Sequence, residues 1–234
     1  MAAASYFAKG NRLLQAMLRA DCEALQRHLS PVELPLRQKL EQPLQPIEHV
    51  YFVIDAIASV VANYPERDIE IGIVGCEGMT GSAIIMGATS SSHATYIQLA
   101  GDAHRMSSDS FRQCMSDSQT LRPWLLRYVH AFSVQTAHTA AANVRADLPE
   151  RLARWLLMSH DRVPGNEMAL THEFLATMLG TQRAGVTEAL HVLVSKGLID
   201  TERGRIVVAN RKGLEAEANV YYGKPEAEYK RLMN

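Results

Sequence analysis

The sequence predicts an α+β fold in three parts, a β-roll, a long connecting helix and a winged helix-turn-helix, and three patterns in its 234 residues predict it. Residues 32–110 are short apolar or alternating runs broken by Pro, Gly, Asn and Asp, the texture of antiparallel strands joined by turns. From about Leu121 to Asn143 the apolar spacing becomes helical without a break. Residues 170–198, LTHEFLATMLGTQRAGVTEALHVLVSKGL, then describe two short helices crossing at a tight turn rather than one long helix. A hydrophobic content of 47% in a chain of this length supports roughly two domains with real cores.

In chain order, the first nine residues are alanine-rich and read as a frayed end. Leu13, Leu14, Met17, Leu18, Leu25 and Leu29 follow at helical spacing and predict one or two short helices. The runs VELPL, HVYFVID, IASVVANY, IEIGIVG, ATYIQLA and AHRMS read as strands of a compact antiparallel roll, with Pro35, Pro43, Pro46 and Pro65 at turns and strand ends where a missing N–H costs nothing. A short helix over FRQCM closes this domain, assigned to residues 1–118.

The connecting helix, in a segment assigned to residues 119–146, starts near Leu121, with Pro123 either in its first turn or at a kink. Leu121, Leu125, Tyr128 and Phe132 recur at alternate spacings of four and three. Such a stripe fits an intramolecular core, but on a helix that links two domains it is assigned as a seam for a second copy of the chain. Asp147 and Pro149 mark a break, the expected hinge, before a helix through Leu152, Leu156 and Leu157 opens the last domain, residues 147–234.

In that domain Thr171 is a natural N-cap, and Leu170 and Leu175 form a staple around it. Gly180 ends the first helix, since a left-handed C′ position costs glycine little. Val186, Ala189, Leu190 and Leu193 bury one face of the second helix, leaving Gln182, Arg183 and Glu188 elsewhere, and Ala176 is small where the helices approach. An ordinary helical hairpin would satisfy half of this, but the small residue, the glycine and the buried valine fall at the offsets of a DNA-reading turn. Residues 198–208, LIDTERGRIVV, add a hairpin wing whose Arg203 and Arg205 flank the turn and are candidates for phosphate contact.

Composition narrows the chemistry. The net charge of −1, and nine Lys and Arg against seven Asp and Glu over residues 150–212, place any DNA affinity in a few arginines rather than in bulk charge. Cys22, Cys76 and Cys114 are isolated, which argues against a disulfide framework or structural zinc and for reduced thiols in a cytoplasm. No apolar run reaches the roughly 20 residues of a membrane span. HxH, GxSxG, HExxH and the phosphate-binding GxxxxGK run are all absent, so no catalytic residue and no enzyme is predicted.

The order β-roll, connecting helix, winged helix-turn-helix resembles the Crp/Fnr family of bacterial transcription regulators. RLARWLL, LTHEFLATMLGTQRAGVTEAL, KGLI and GRIVV carry the resemblance most specifically, and PIEHVYFVIDAIASVV and FRQCM more loosely. It implies an N-terminal double-stranded β-helix of the jelly-roll, cyclic-nucleotide-binding-like type, a dimerisation helix, and a homodimer on a two-fold operator. It further implies double-stranded DNA, a second copy of the chain and RNA polymerase as partners, with an unknown small-molecule effector or none; from the cysteines and histidines of this chain no cofactor or metal is expected. Where the family holds cyclic nucleotide with a glycine-glutamate pair and an arginine, this chain offers Gly81, Ser82 and Ser92, with His93 alongside. Without the bidentate charge of arginine a cyclic phosphate is held far less well, so the pocket is read as degenerate. One cysteine near the N-terminus cannot hold an iron-sulfur cluster, and His49, His93 and His104 show no distinguishing haem spacing.

Carried over residue by residue, the base readers are Gln182, Arg183, Ala184 and Glu188, with Arg183 in the place of the guanine-reading arginine. Ala184 replaces a common glutamate and Glu188 an arginine, so the operator is expected to differ from that of the cyclic AMP receptor protein. Thr171 and His172 are expected at the DNA backbone. A module of the same fold that no longer binds specific DNA is the other open reading.

Overall fold

The structure, a computed structural model, describes residues 10–64 and 68–233; the alanine-rich start and Pro65 lie outside them. Helices α1 (Arg12–Gln15) and α2 (Arg19–Gln26) lead into the roll. Strands β1 (Ser30–Leu34), β7 (Gly101–Ser107) and β3 (His49–Val53) form one antiparallel sheet, in that order. Strands β2 (Lys39–Glu41), β6 (Ala94–Leu99), β4 (Ile57–Ala62) and β5 (Ile69–Val74) form the second. Leu34, Tyr51 and Val53 from one sheet meet Ala58, Val74 and Ile97 from the other in a shared core. Within the roll two elements escape sequence reading because they are too short for a period to show: the three residues of β2, and a single helical turn, α3 (Ser82–Ile85).

After α4 (Ser108–Asp117), helix α5 runs from Leu121 to Arg145, about 37 Å at 1.5 Å per residue. Pro123 is its third residue, in the first turn, where the absent N–H has no intrahelical partner to lose. The seam assigned to this helix is corrected by burial. Leu121 and Leu125 are fully buried and Tyr128 is 3% exposed, all packed into the roll's own core with Met79, Ile84 and Phe111. The Tyr128 hydroxyl donates to the Met79 carbonyl (2.8 Å) and accepts from its N–H (3.1 Å). Phe132 is half-buried and packs against the second core between the sheets. A stripe at four-three spacing is what any helix lying along a core must show, and here the chain's own roll occupies it. The solvent side of α5 carries Leu126, 41% exposed, Ser133, Ala137, Ala140 and Val144, 85% exposed.

At the break, Asp147 caps α6 (Leu148–His160): its carboxylate accepts from the Glu150 N–H (2.9 Å) while Glu150 accepts from the Asp147 N–H (3.0 Å). Helix α6 is amphipathic and buries Leu152, Trp155, Leu156 and Leu157 in one cluster that joins the last domain to Ile57, Ile73 and Leu99 of the roll. Within this contact Glu70 of β5 is buried, accepting from Trp155 Nε1 (2.8 Å) and the Ser59 hydroxyl (2.5 Å). Burial pushes its pKa up to about 7, although both hydrogen bonds and the Arg154 and Arg162 charges act the other way. Past the wing, α9 (Arg211–Glu217) leads to α10 (Lys224–Met233), which returns to pack along α5 and seals Met233 into the roll's core.

Candidate nucleic-acid interface

The reading head is α7 (His172–Met178) and α8 (Arg183–Ser195), with a three-stranded wing sheet in the order β8 (Glu167–Met168), β10 (Arg205–Val208), β9 (Ile199–Glu202). The Thr171 hydroxyl accepts from the Phe174 N–H (3.2 Å), as the cap requires. At the other end of α7 the Thr181 N–H reaches the Ala176 carbonyl (2.9 Å) and the Gly180 N–H the Thr177 carbonyl (3.2 Å), a Schellman turn with Gly180 at φ +58°. This fixes the angle at which α8 leaves. Val186, Ala189, Leu190 and Leu193 are buried against α6 and α7, with Ala176, 7% exposed, in the crossing.

The opposite face of α8 is open. Gln182, its N-cap, and Arg183, Ala184 and Glu188 are all exposed. Arg183 forms no ion pair among the described residues, so its guanidinium meets no competing carboxylate. Thr171 is exposed at the start of α7. His172, half-buried, ties α7 to α8 through Nδ1 and the Thr187 hydroxyl (3.0 Å), which leaves Nε2 for other contacts. On the wing Gly204 turns the hairpin at φ +73° and Arg203 stands exposed beside it. Arg205 is held by Glu167 (3.0 Å) and Glu202 (2.6 Å), so of the two wing arginines Arg203 is the one without an ion pair among the described residues. These exposed pairs are weak and screened by solvent, and give way readily to a phosphate.

Hydrogen bonds tie the head to the helices behind it. Arg151 donates to the Leu179 carbonyl at the end of α7, and Arg154 reaches the Thr139 hydroxyl of α5 (3.1 Å) and the Tyr221 carbonyl (3.0 Å). Residue spacing could not give these long-range ties in advance, because they join segments that the sequence keeps apart.

The roll holds a cavity of about 220 Å3 lined by Gly81, Ser82, Ser91, His93 and Thr95. Ser92 is exposed and faces away from it, because Ser91 and His93 occupy the inward positions of that turn. The sequence reading missed Glu41, which reaches in from β2 and accepts from the Gly81 N–H (2.8 Å). Burial raises the Glu41 pKa against the opposing effect of that backbone donor, and a carboxylate here opposes an anionic ligand. Gly81 at φ +85° also sits where a Cβ would come within 2.5 Å of Val50. Burial pushes the pKa of all three thiols, Cys22, Cys76 and Cys114, up. No group of three or more metal-ligating side chains occurs among the described residues, and no described helix is long and apolar enough to cross a membrane.

Comparison with known proteins agrees with this architecture. Residues 150–217 match the Crp-like helix-turn-helix domain family. A CRP-like cAMP-activated global transcriptional regulator of Mycobacterium tuberculosis is 25% identical over 205 residues, covering 83% of this chain and 91% of the relative. Among solved structures, FixK2 from Bradyrhizobium japonicum superposes with a TM-score of 0.69 at 17% identity, over 80% of this chain and 96% of that one. The c-di-GMP responsive regulator CLP of Xanthomonas campestris superposes with a TM-score of 0.58 at 20% identity, over 81% and 98%. The fold is therefore a cyclic-nucleotide-binding-like β domain, a long helix and a C-terminal helix-turn-helix.

Proposed function

We propose that this chain, a member of the Crp/Fnr family, is a DNA-binding transcription regulator that acts as a homodimer on a two-fold operator and is not controlled by a cyclic nucleotide. The observation that carries the reading is the exposed, unpaired Arg183 in the first turn of a helix whose other face is wholly buried. Presented to a major groove, its guanidinium pairs with guanine O6 and N7, a contact worth about 1–3 kcal/mol of discrimination. Ala184 offers a methyl group to thymine, and Glu188 accepts from a cytosine amino group. Thr171, His172 and Arg203 set the head on the phosphates.

Dimerisation is proposed through the outward side of α5, at Leu126, Ser133, Ala137, Ala140 and Val144. Its small residues allow close approach of a second α5, and Leu126 and Val144 are large apolar side chains left in solvent by a single copy. Two heads then face half-sites one helical turn apart. As a bacterial regulator of chromosomal DNA it works in the cytoplasm, with RNA polymerase as a further partner if it activates. Loss of cyclic-nucleotide control is supported by Glu41 in the roll cavity and by Ser92 outside it.

Selection of bound sequences from a random duplex pool tests the reading. Enrichment of a two-fold site with a guanine in each half is expected; a pool that stays random at low salt would leave the fold without the function.

A further inference from the structure

The cavity of the roll lies between β2, β4, β5 and one side of α5, and its charge is one-sided. No Lys or Arg lines it, and the acidic residue that does is Glu41, 8% exposed. The Glu41 carboxylate accepts from the Gly81 N–H (2.8 Å) and from the Thr95 hydroxyl, and it forms no ion pair among the described residues. Both donors are neutral. A buried carboxylate without a cation is costly, which shows here as a pKa that burial raises against both hydrogen bonds.

The other polar groups of the lining do not supply the missing positive charge. Thr95 gives its proton to Glu41, Ser133 to the His130 carbonyl (2.7 Å) and Thr136 to the Ser133 carbonyl (2.8 Å), so these three oxygens have only lone pairs left to offer. Thr80 and Ser91 accept from the Tyr51 N–H (3.2 Å) and the His93 N–H (3.0 Å) and can still donate, so hydroxyls alone do not choose a ligand. The imidazole of His93 makes no ion pair with Glu41 among the described residues. Charge therefore chooses. An anion would meet Glu41 with no arginine or lysine to compensate, whereas an ammonium group gains an ion pair and brings three N–H donors to a lining rich in acceptors. Val60, Met86, Val129 and Phe132 add an apolar wall, and the volume of about 220 Å3 suits a body of one ring on a short chain.

We infer that the roll cavity binds a small primary amine as its ammonium ion, the charged nitrogen on Glu41 and the neighbouring hydroxyl oxygens and the apolar body against Val60, Met86, Val129 and Phe132. Because Ser133 and Thr136 stand on α5, such a ligand joins the roll to the helix proposed to meet a second copy of the chain. Its role as an effector rests on the regulator reading; the binding itself does not.

The test is titration calorimetry on the full chain without DNA at neutral pH, using 2-phenylethylamine, 2-phenylethanol and 3-phenylpropionate, which share a ring and differ in charge. The amine is expected to saturate one site per chain, the alcohol to bind at least about tenfold more weakly, and the acid not to bind. Glu41→Gln keeps the size of the side chain and an acceptor for the Gly81 N–H but removes the charge. It should bring the amine down to the affinity of the alcohol and leave the alcohol unchanged. Val129→Phe, which fills the cavity from α5, should abolish binding of both. The inference is overturned if the amine does not saturate, if the acid binds as tightly, or if Glu41→Gln keeps the wild-type preference for amine over alcohol. It is equally overturned if Val129→Phe retains the amine, which would place the binding elsewhere; the acid and Val129→Phe read the site whether or not Glu41→Gln folds. Failure of operator binding with calorimetry intact would overturn only the regulator reading.

Discussion

The reading head and the β-roll solve opposite problems with similar materials. In the head, one side of α8 is sealed by Val186, Ala189, Leu190 and Leu193, and the polar residues of its first turn are left in solvent. In the roll a carboxylate points inward: Glu41 engages the Gly81 N–H at the cavity. The head leaves Arg183 in solvent without an ion pair among the described residues, whereas the roll ties Glu41 to its own backbone. Under the proposed function, a pocket without cyclic-nucleotide control thus sits beside a helix that is open to DNA.

The largest expected effect separates core from surface along α5. Leu125→Ala should cost about 2–5 kcal/mol of stability in denaturant unfolding, because the side chain is buried inside its own protomer. Val144→Asp should leave that stability within about 0.5 kcal/mol while shifting the sedimenting species toward monomer. A monomerised Leu125→Ala variant of unchanged unfolding midpoint would restore the original seam.

Next in size is the pH response of the contact between head and roll. Glu70 has a folded pKa of about 7, above its unfolded value of 4.5, so the folded state holds the extra proton between them. Stability from this group is fully present below pH 4.5 and is lost as pH rises through about 7, a change of roughly 3 kcal/mol at most. Glu70→Gln should flatten that slope in urea titrations from pH 4.5 to 7.5. A wild-type minus variant difference that is constant with pH would show that Glu70 does not titrate there.

The smallest effect is a deliberate non-effect. Ser92→Arg restores the family's charge in sequence, but position 92 faces solvent outside the cavity and Glu41 remains inside it. Cyclic AMP should therefore give no thermal shift with either protein, and a clear stabilisation of the Ser92→Arg variant would reverse the account of the pocket.

These contrasts also explain what the sequence could show. The helix-turn-helix was legible because its information is local: a cap at Thr171, a left-handed Gly180 and a buried face at 3.6-residue spacing all lie within thirty residues. The strands of the roll were legible by texture, except β2, which is too short to show alternation. The four-three stripe on α5 was visible, yet spacing states only that one face is apolar and not which partner covers it. Glu41 and Glu70 were invisible because their meaning depends on neighbours 40 and 85 positions away, Gly81 and Trp155. The helix α10 lay beyond the motifs, in a segment whose amphipathic pattern gives no hint that it folds back onto α5.

The central claim is that α8 reads bases through Arg183. It is tested most directly by measuring the affinity of the wild type and of Arg183→Ala for the selected operator and for every single-base variant of one half-site. The account predicts that Arg183→Ala loses about 1–3 kcal/mol of discrimination at one base position per half-site and retains it elsewhere. An unchanged profile across all positions would contradict the assignment of this helix as the reader.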